Sequence, residues 1–303
     1  MTPYNLDTLN KRFGIAGVIE FKTGPGDLPV VEVINDQASA AIALQGAHLL
    51  NWAPSGEDPV IWLSPDAKFA TGKSVRGGVP VCWPWFGPHA QEAAFPAHGF
   101  ARTVPWEVFE TNGNQDGSTT IGLRLLQNEA TRAQWPHATE LELYLRIGTV
   151  LELDLVTRNT GSAPVTIGDA LHTYFQVSDI HQVSVLGLDG LDYIDKVDGG
   201  AHKQQSGPVR FSGETDRIYL DTGGDCLIDD PGLERRIRIH KRGSHSTVVW
   251  NPWIAKAEQM GDLGPDGYQH MLCVESANAA SDVVKIGPGG EHHLWMRYSV
   301  ETH

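Results

Sequence analysis

The chain has 303 residues, 41% of them hydrophobic and 20% charged, and a formal net charge of −14. That apolar share excludes a disordered chain and allows one large core. The acidity argues against nucleic acid or an anionic membrane as a partner.

Taken from the N-terminus, the first dozen residues form one of two short segments with helical spacing. They hold no apolar signal core, and no run in the chain approaches transmembrane length, so a soluble cytoplasmic protein is expected. The stretch from Val75 to Arg102 then reads VRGGVPVCWPWFGPHAQEAAFPAHGFAR. Pro80, Pro84, Pro88 and Pro96 interrupt any regular helix or strand there. Yet the stretch is rich in Val79, Val81, Trp83, Trp85, Phe86, Phe95 and Phe100, which solvated loops avoid. A rigid apolar loop carrying Arg76, His98 and Arg102 suits the wall of a small-molecule pocket. A buried crossover with two incidental arginines is the plainer alternative.

Period-two alternation follows at Thr119–Leu126. It returns at Leu141, Leu143, Leu145 and Ile147, and again at Leu151, Leu153 and Leu155. The Gly148-Thr149 pair between the last two runs predicts a β-hairpin with a two-residue turn. Further strands are expected at Arg235–His240, Thr247–Trp250, Met271–Glu275 and His292–Ser299, with a second short helix at Ala255–Met260. Many strands separated by Gly, Pro and Asp turns imply an all-β, large antiparallel sandwich. No linker or repeat divides it, so a single domain over residues 1–303 is expected. Cys82, Cys226 and Cys273 are odd in number, form no C-x-x-C pair and sit among apolar residues; buried reduced thiols are expected.

Several familiar motifs fail. Gly72–Ser74 reads GKS, but a phosphate-binding P-loop needs glycine where Ala67 stands. The glycines at 287–290 lack dinucleotide spacing, and neither H-E-x-x-H nor G-x-S-x-G occurs. His292 and His293 are adjacent, so in a strand they face opposite ways and make a poor metal pair.

RGGVPVCWPWFG followed by HGFAR is similar to the hexose-6-phosphate mutarotases, the glucose-6-phosphate 1-epimerase group of the aldose 1-epimerase superfamily, and above all to its bacterial members. DALHTYFQVSD around His172, GETDRIYLD around Asp216, VVWNPWIAKA around Asn251 and CVESANA around Glu275 continue the match in one order. The resemblance implies the β-supersandwich of galactose mutarotase-like proteins, a sugar phosphate as small-molecule partner, and no cofactor or metal. Since that substrate is anionic and the protein acidic, the site must be a local cationic pocket. The net charge makes a soluble monomer the expected state.

Anomer exchange requires the hemiacetal to open. A base takes the C1 hydroxyl proton while an acid protonates the ring oxygen, and the roles reverse on closure. Glu275 matches the family's general base and His172 its general acid. From the residues alone, Glu275 could be a water-facing strand-end glutamate, and His172 a buried structural histidine. Arg76 and Arg102 match positions that bind substrate through its phosphate, where a planar fork makes paired hydrogen bonds. Asp216 matches a position that contacts sugar hydroxyls, with a turn aspartate as the alternative. His98 either bonds a sugar hydroxyl or braces the loop. Lys73 adds charge near the phosphate or is only exposed. Asn251 and Trp253 either line the pocket or belong to the core. Some family members carry glutamine before the HG of this motif; Ala97 stands there instead. Two other functions stay open at this point: an aldose 1-epimerase for unphosphorylated sugars, and a carbohydrate-binding module without turnover.

Overall fold

The computed structural model describes residues 4–302. Its largest unit is a nine-stranded sheet running Val209–Arg210, Ser184–Leu186, Cys226–Asp230, Arg235–Arg242, Glu291–Thr302, Leu151–Asn159, Thr139–Ile147, Thr119–Leu125 and Trp106–Gly113. All its neighbours pair antiparallel. An eight-stranded sheet runs Ala201–Gln204, Asp192–Asp195, Thr215–Tyr219, Ser246–Asn251, Met271–Ala277, Ala170–Leu171 and Val81–Cys82, with Tyr174–Gln176 also on Met271–Ala277. The N-terminal strands Ile19–Thr23, Pro29–Ile34, Ala38–Ala43 and His48–Pro54 form a four-stranded sheet, and Val165–Ile167 pairs with Val284–Ile286.

The alternation in the sequence appears directly as burial. Leu141, Leu143, Leu145, Ile147, Leu151, Leu153 and Leu155 are all buried and join one cluster with Trp52, Trp83, Trp106 and Phe175. Each such side chain contributes about 2 kcal/mol by leaving water. The opposite face carries charges. Glu142 accepts from Arg124 Nη2 at 2.7 Å and from the Tyr144 hydroxyl at 3.0 Å, and it also pairs with Arg158.

The central hairpin is closed by three residues, Gly148–Val150, not two, with Gly148 N–H donating to the Val150 carbonyl at 3.1 Å. The first helix spans Leu6–Phe13, where the Asn5 side chain caps Thr8 N–H at 2.9 Å. Residues 1–3 of the expected segment lie outside the described residues. The later helix spans Trp253–Gln259. A third, Glu129–Gln134, was not expected; Asn128 and Thr131 form its capping box.

Candidate active site

The eight-stranded sheet positions the site through its register. Ile194 pairs with Ile218, Ile218 with Val248, and Val248 with Glu275. In the adjoining row Asp216 pairs with Trp250, Trp250 with Cys273, and Cys273 with Tyr174. Residues two apart on a strand share a face, so these two rows form one floor. Ala170 pairs with Ala277 and Leu171 with Ser276. One residue further along this register, His172 stands opposite Glu275.

The Val75–Arg102 segment supplies the facing wall. It is held at Gly99, where φ is +70° and an added Cβ would lie 1.9 Å from the Trp83 carbonyl oxygen; only glycine accepts both conditions. Floor and wall enclose a cavity of about 570 Å³. Arg76, His98, Arg102, His172, Asp216 and Glu275, the six residues expected to be catalytic or substrate-binding, all line it.

His172 Nε2 stands 3.4 Å from Glu275 Oε1; the histidine keeps 12% of its side chain exposed and the glutamate 1%. Burial pushes the Glu275 carboxyl well up, with the charge of Asp216 adding to it and Arg102 opposing. Burial likewise pulls His172 well down, helped by His98 and Arg102. These directions run against a fixed ion pair. Burial prevails where each partner has one polar atom without a hydrogen bond, as Glu275 Oε2 and His172 Nδ1 do among the described residues. A neutral pair and an ion pair hold the same single proton, so one transfer across the contact interconverts them.

His98 has φ +65° and packs its ring on Phe86 at 4.7 Å. Its Nδ1 accepts from Gly87 N–H at 3.4 Å, which leaves Nε2 as the protonated nitrogen of a neutral ring. Burial, with Arg102 nearby, pulls its pKa down to about 4. Arg76 Nε donates to Asp262 Oδ1 at 3.1 Å and its Nη1 to the Tyr174 hydroxyl at 3.0 Å. Arg102 Nη2 donates to the Ala97 carbonyl at 2.9 Å, so the position that holds glutamine elsewhere contributes backbone here. Burial raises the Asp216 carboxyl, against the pull of Lys256 and Lys196.

Three positions whose roles the sequence left open do not line the cavity. Lys73 is exposed and lies off the cavity. Asn251 is fully buried, donating to the carbonyls of Tyr268 and Met271 at 2.8 and 2.9 Å. Trp253 packs on Tyr268 and His181. The sequence reading missed Tyr174, Trp250, Lys196 and Lys256, all of which line the cavity. Alternation could have found Trp250, two residues along the Ser246–Asn251 strand from Val248, which also lines the cavity.

An antiparallel sandwich thus holds a carboxyl–imidazole pair in a cation-rimmed cavity, an arrangement suited to acid/base chemistry on a small molecule. Residues 29–299 match the family model for aldose 1-epimerase. A relative in Escherichia coli (strain K12), named "Putative glucose-6-phosphate 1-epimerase", is 43% identical over 269 residues, covering 88% of this chain and 89% of its own. A crystal structure from Salmonella typhimurium, described as a "putative mutarotase", matches with a TM-score of 0.88 and 37% identity over 94% of each chain. A galactose mutarotase-like protein from Lactobacillus casei shares the fold, with a TM-score of 0.69 at 15% identity, covering 90% of this chain and 100% of its own. The chain belongs to the aldose 1-epimerase family, and its fold is the galactose mutarotase-like β-supersandwich. Mutarotation of an aldose is the activity that this membership supports.

Proposed function

We propose that the protein interconverts the α and β anomers of hexose 6-phosphates, with glucose 6-phosphate as the foremost substrate. The observation that carries this reading is the 3.4 Å Glu275–His172 pair inside a cavity that four cations also line: Arg76, Arg102, Lys196 and Lys256. Glu275 takes the C1 hydroxyl proton, and His172 gives its proton to the ring oxygen as the C1–ring oxygen bond breaks. The open aldehyde turns about the C1–C2 bond. Closure on its other face returns each proton, so the enzyme ends as it began. Burial supports the exchange, because it raises the proton affinity of Glu275, which must take a proton, and lowers that of His172, which must give one. Asp216 accepts from sugar hydroxyls, and His98 Nε2–H donates to one. Arg102, whose charge is unmatched among the described residues, takes the phosphate oxygens in the field of Arg76. On this reading the protein is a single-domain monomer of the cytoplasm.

A second reading, turnover of unphosphorylated aldoses, draws on one observation. Arg76 is already matched by Asp262, and Lys256 by Glu214 at 2.7 Å, which leaves less free charge for a phosphate. Magnetisation-transfer NMR on equilibrated glucose 6-phosphate and on free glucose separates the two. Faster exchange of the phosphate alone is expected; equal acceleration of both favours the neutral-sugar reading. Glu275→Gln should remove at least about a thousandfold of the acceleration with the fold intact. Substantial residual exchange would exclude Glu275 as the base.

A further inference from the structure

His172 lacks the hydrogen-bonded anchor that an acid/base histidine ordinarily has. In such sites the second ring nitrogen is fastened by a carboxylate or carbonyl, which sets tautomer and orientation. Here Nδ1 is buried and meets no hydrogen-bond partner among the described residues. Rings hold the imidazole instead. Tyr174 lies against it with centroids 5.0 Å apart and 13° between the planes. The rings of Trp250 and His98 meet it edge-on, each 5.9 Å away, at 79° and 69°.

Tyr174 is itself held from several sides. Its hydroxyl accepts from Arg76 Nη1 at 3.0 Å, and Arg76 is tied through Nε to Asp262 at 3.1 Å. Trp62 stacks on the phenol ring at 5.9 Å and 22°. The Tyr174 backbone donates to the Gly78 carbonyl at 3.0 Å and accepts from Trp62 N–H at 2.9 Å. One Arg76 donor therefore holds the phenol, and a second anchors the arginine itself to Asp262.

We propose that Tyr174 is the positioning residue of His172, holding the imidazole by stacking, and that Arg76 and Asp262 lock the phenol in place for that purpose. The proposal rests on the reading of His172 as the general acid. A ring face also attracts a cation, so the stack favours imidazolium over imidazole. The other groups facing His172 act in both directions. Glu275 on the Met271–Ala277 strand, 3.4 Å away, favours the charged form whenever it is ionised; beyond burial itself, His98, Arg102 and Arg76 from the wall segment oppose it. Cys273, paired opposite Tyr174, stays a neutral thiol because burial pushes its pKa well up. Asp216, with Lys196 and Lys256 beside it, acts on Glu275 from the far side.

Replacing Tyr174 with leucine removes the ring and lowers the proton affinity of His172. An acid works only while protonated, so the alkaline limb of the kcat profile should move to lower pH. We expect Tyr174→Leu to reduce kcat about tenfold or more with KM changed less than about threefold, and Tyr174→Phe to recover most of the loss. A raised KM at unchanged kcat, an unmoved alkaline limb, or no rescue by phenylalanine would overturn the proposal. Asp262→Asn loosens the same lock at a half-buried pair and serves if the leucine variant does not fold. It should shift the limb in the same direction with a smaller loss of kcat, and an unchanged profile would count against the lock. The His172 ring is also titrated directly by nitrogen-15 NMR in each variant. If the wild-type protein accelerates no aldose, the proposed function fails; the ring titration still decides whether Tyr174 positions His172.

Discussion

Arg102 and Lys196 differ from the other two cavity cations in having no carboxylate partner among the described residues. Arg102 bonds only a carbonyl, and Lys196, exposed at the rim, forms no ion pair. Charge that is not already matched is the charge a phosphate can use. A hydrogen bond between charged groups is worth about 1.5–3 kcal/mol when partly buried, so Arg102→Ala should raise KM for glucose 6-phosphate roughly ten- to hundredfold. The exposed Lys196 gains less from the same contact, about 0.5–1 kcal/mol, and Lys196→Ala should cost roughly threefold. Concentration-dependent exchange rates on glucose 6-phosphate and on free glucose measure both. Equal effects on the two sugars would make Arg102 a loop brace and not a phosphate ligand. The six motif residues were legible because each sits in a distinctive string. Lys196 and Lys256 were not, since a lone lysine between a strand and a turn, or on a short helix, carries no local pattern. Trp250 was masked by Trp253 three residues on: both indoles fit a sugar-facing role by type, and only strand parity separates them. Trp250 shares the face of Val248, whereas Trp253 follows Pro252 at φ +57°, outside the strand.

Among elements, the wall segment is the one whose conformation fixes the most site residues. Its path from Trp83 to Arg102 closes on a bridge between Trp83 and Gly99, flanked by His98 and, three residues on, Arg102. Gly99→Ala would drive a methyl carbon into the Trp83 carbonyl, so backbone must move, and a cost above about 3 kcal/mol is expected. Gly87 has φ +76°, but nothing lies within 4 Å of an added Cβ. Gly87→Ala should therefore cost only about 1 kcal/mol, the backbone penalty alone. Chemical denaturation of both variants, read beside their exchange rates, checks the contrast. Matching losses would mean that the bridge does not hold the wall. Four prolines among aromatics already marked this segment as irregular and packed. The long strands were equally legible, because one buried face imposes alternation. The four N-terminal strands, Trp106–Gly113, Thr215–Tyr219 and Cys226–Asp230 nevertheless escaped, and so did pieces too short to show any period: Val81–Cys82, Ala170–Leu171, Tyr174–Gln176 and the six-residue helix at Glu129–Gln134. The positions of the short strands follow from pairing with distant strands, which no local window contains.

For the molecule as a whole, buried ionisable groups should set the pH of greatest stability. Asp169 is fully buried just before the Ala170–Leu171 strand, and neither carboxyl oxygen has a hydrogen-bond partner among the described residues. Burial pushes it up to about 8, from 3.8 in the unfolded chain. Between those values the folded protein keeps a proton that the unfolded chain releases. Its contribution is thus complete below about pH 4 and is lost as pH rises through 8, at about 1.4 kcal/mol per pH unit. Glu275, shifted upward by burial, acts with the same sign. His48 and His98, both pulled down to about 4, act oppositely. Their stabilisation is complete above pH 6.5 and is lost as pH falls toward 4, and His172 adds to it. Histidines limit the acid side and buried carboxyls the alkaline side, which puts the maximum near pH 6–7. Asp169→Asn keeps the shape and removes the ionisation. Relative to the wild type, its melting temperature should gain steadily from pH 5 to pH 8, because the histidine contributions are common to both proteins and cancel in the difference. Parallel curves for the two proteins across that range would mean that Asp169 ionises in the folded state as readily as in the unfolded one.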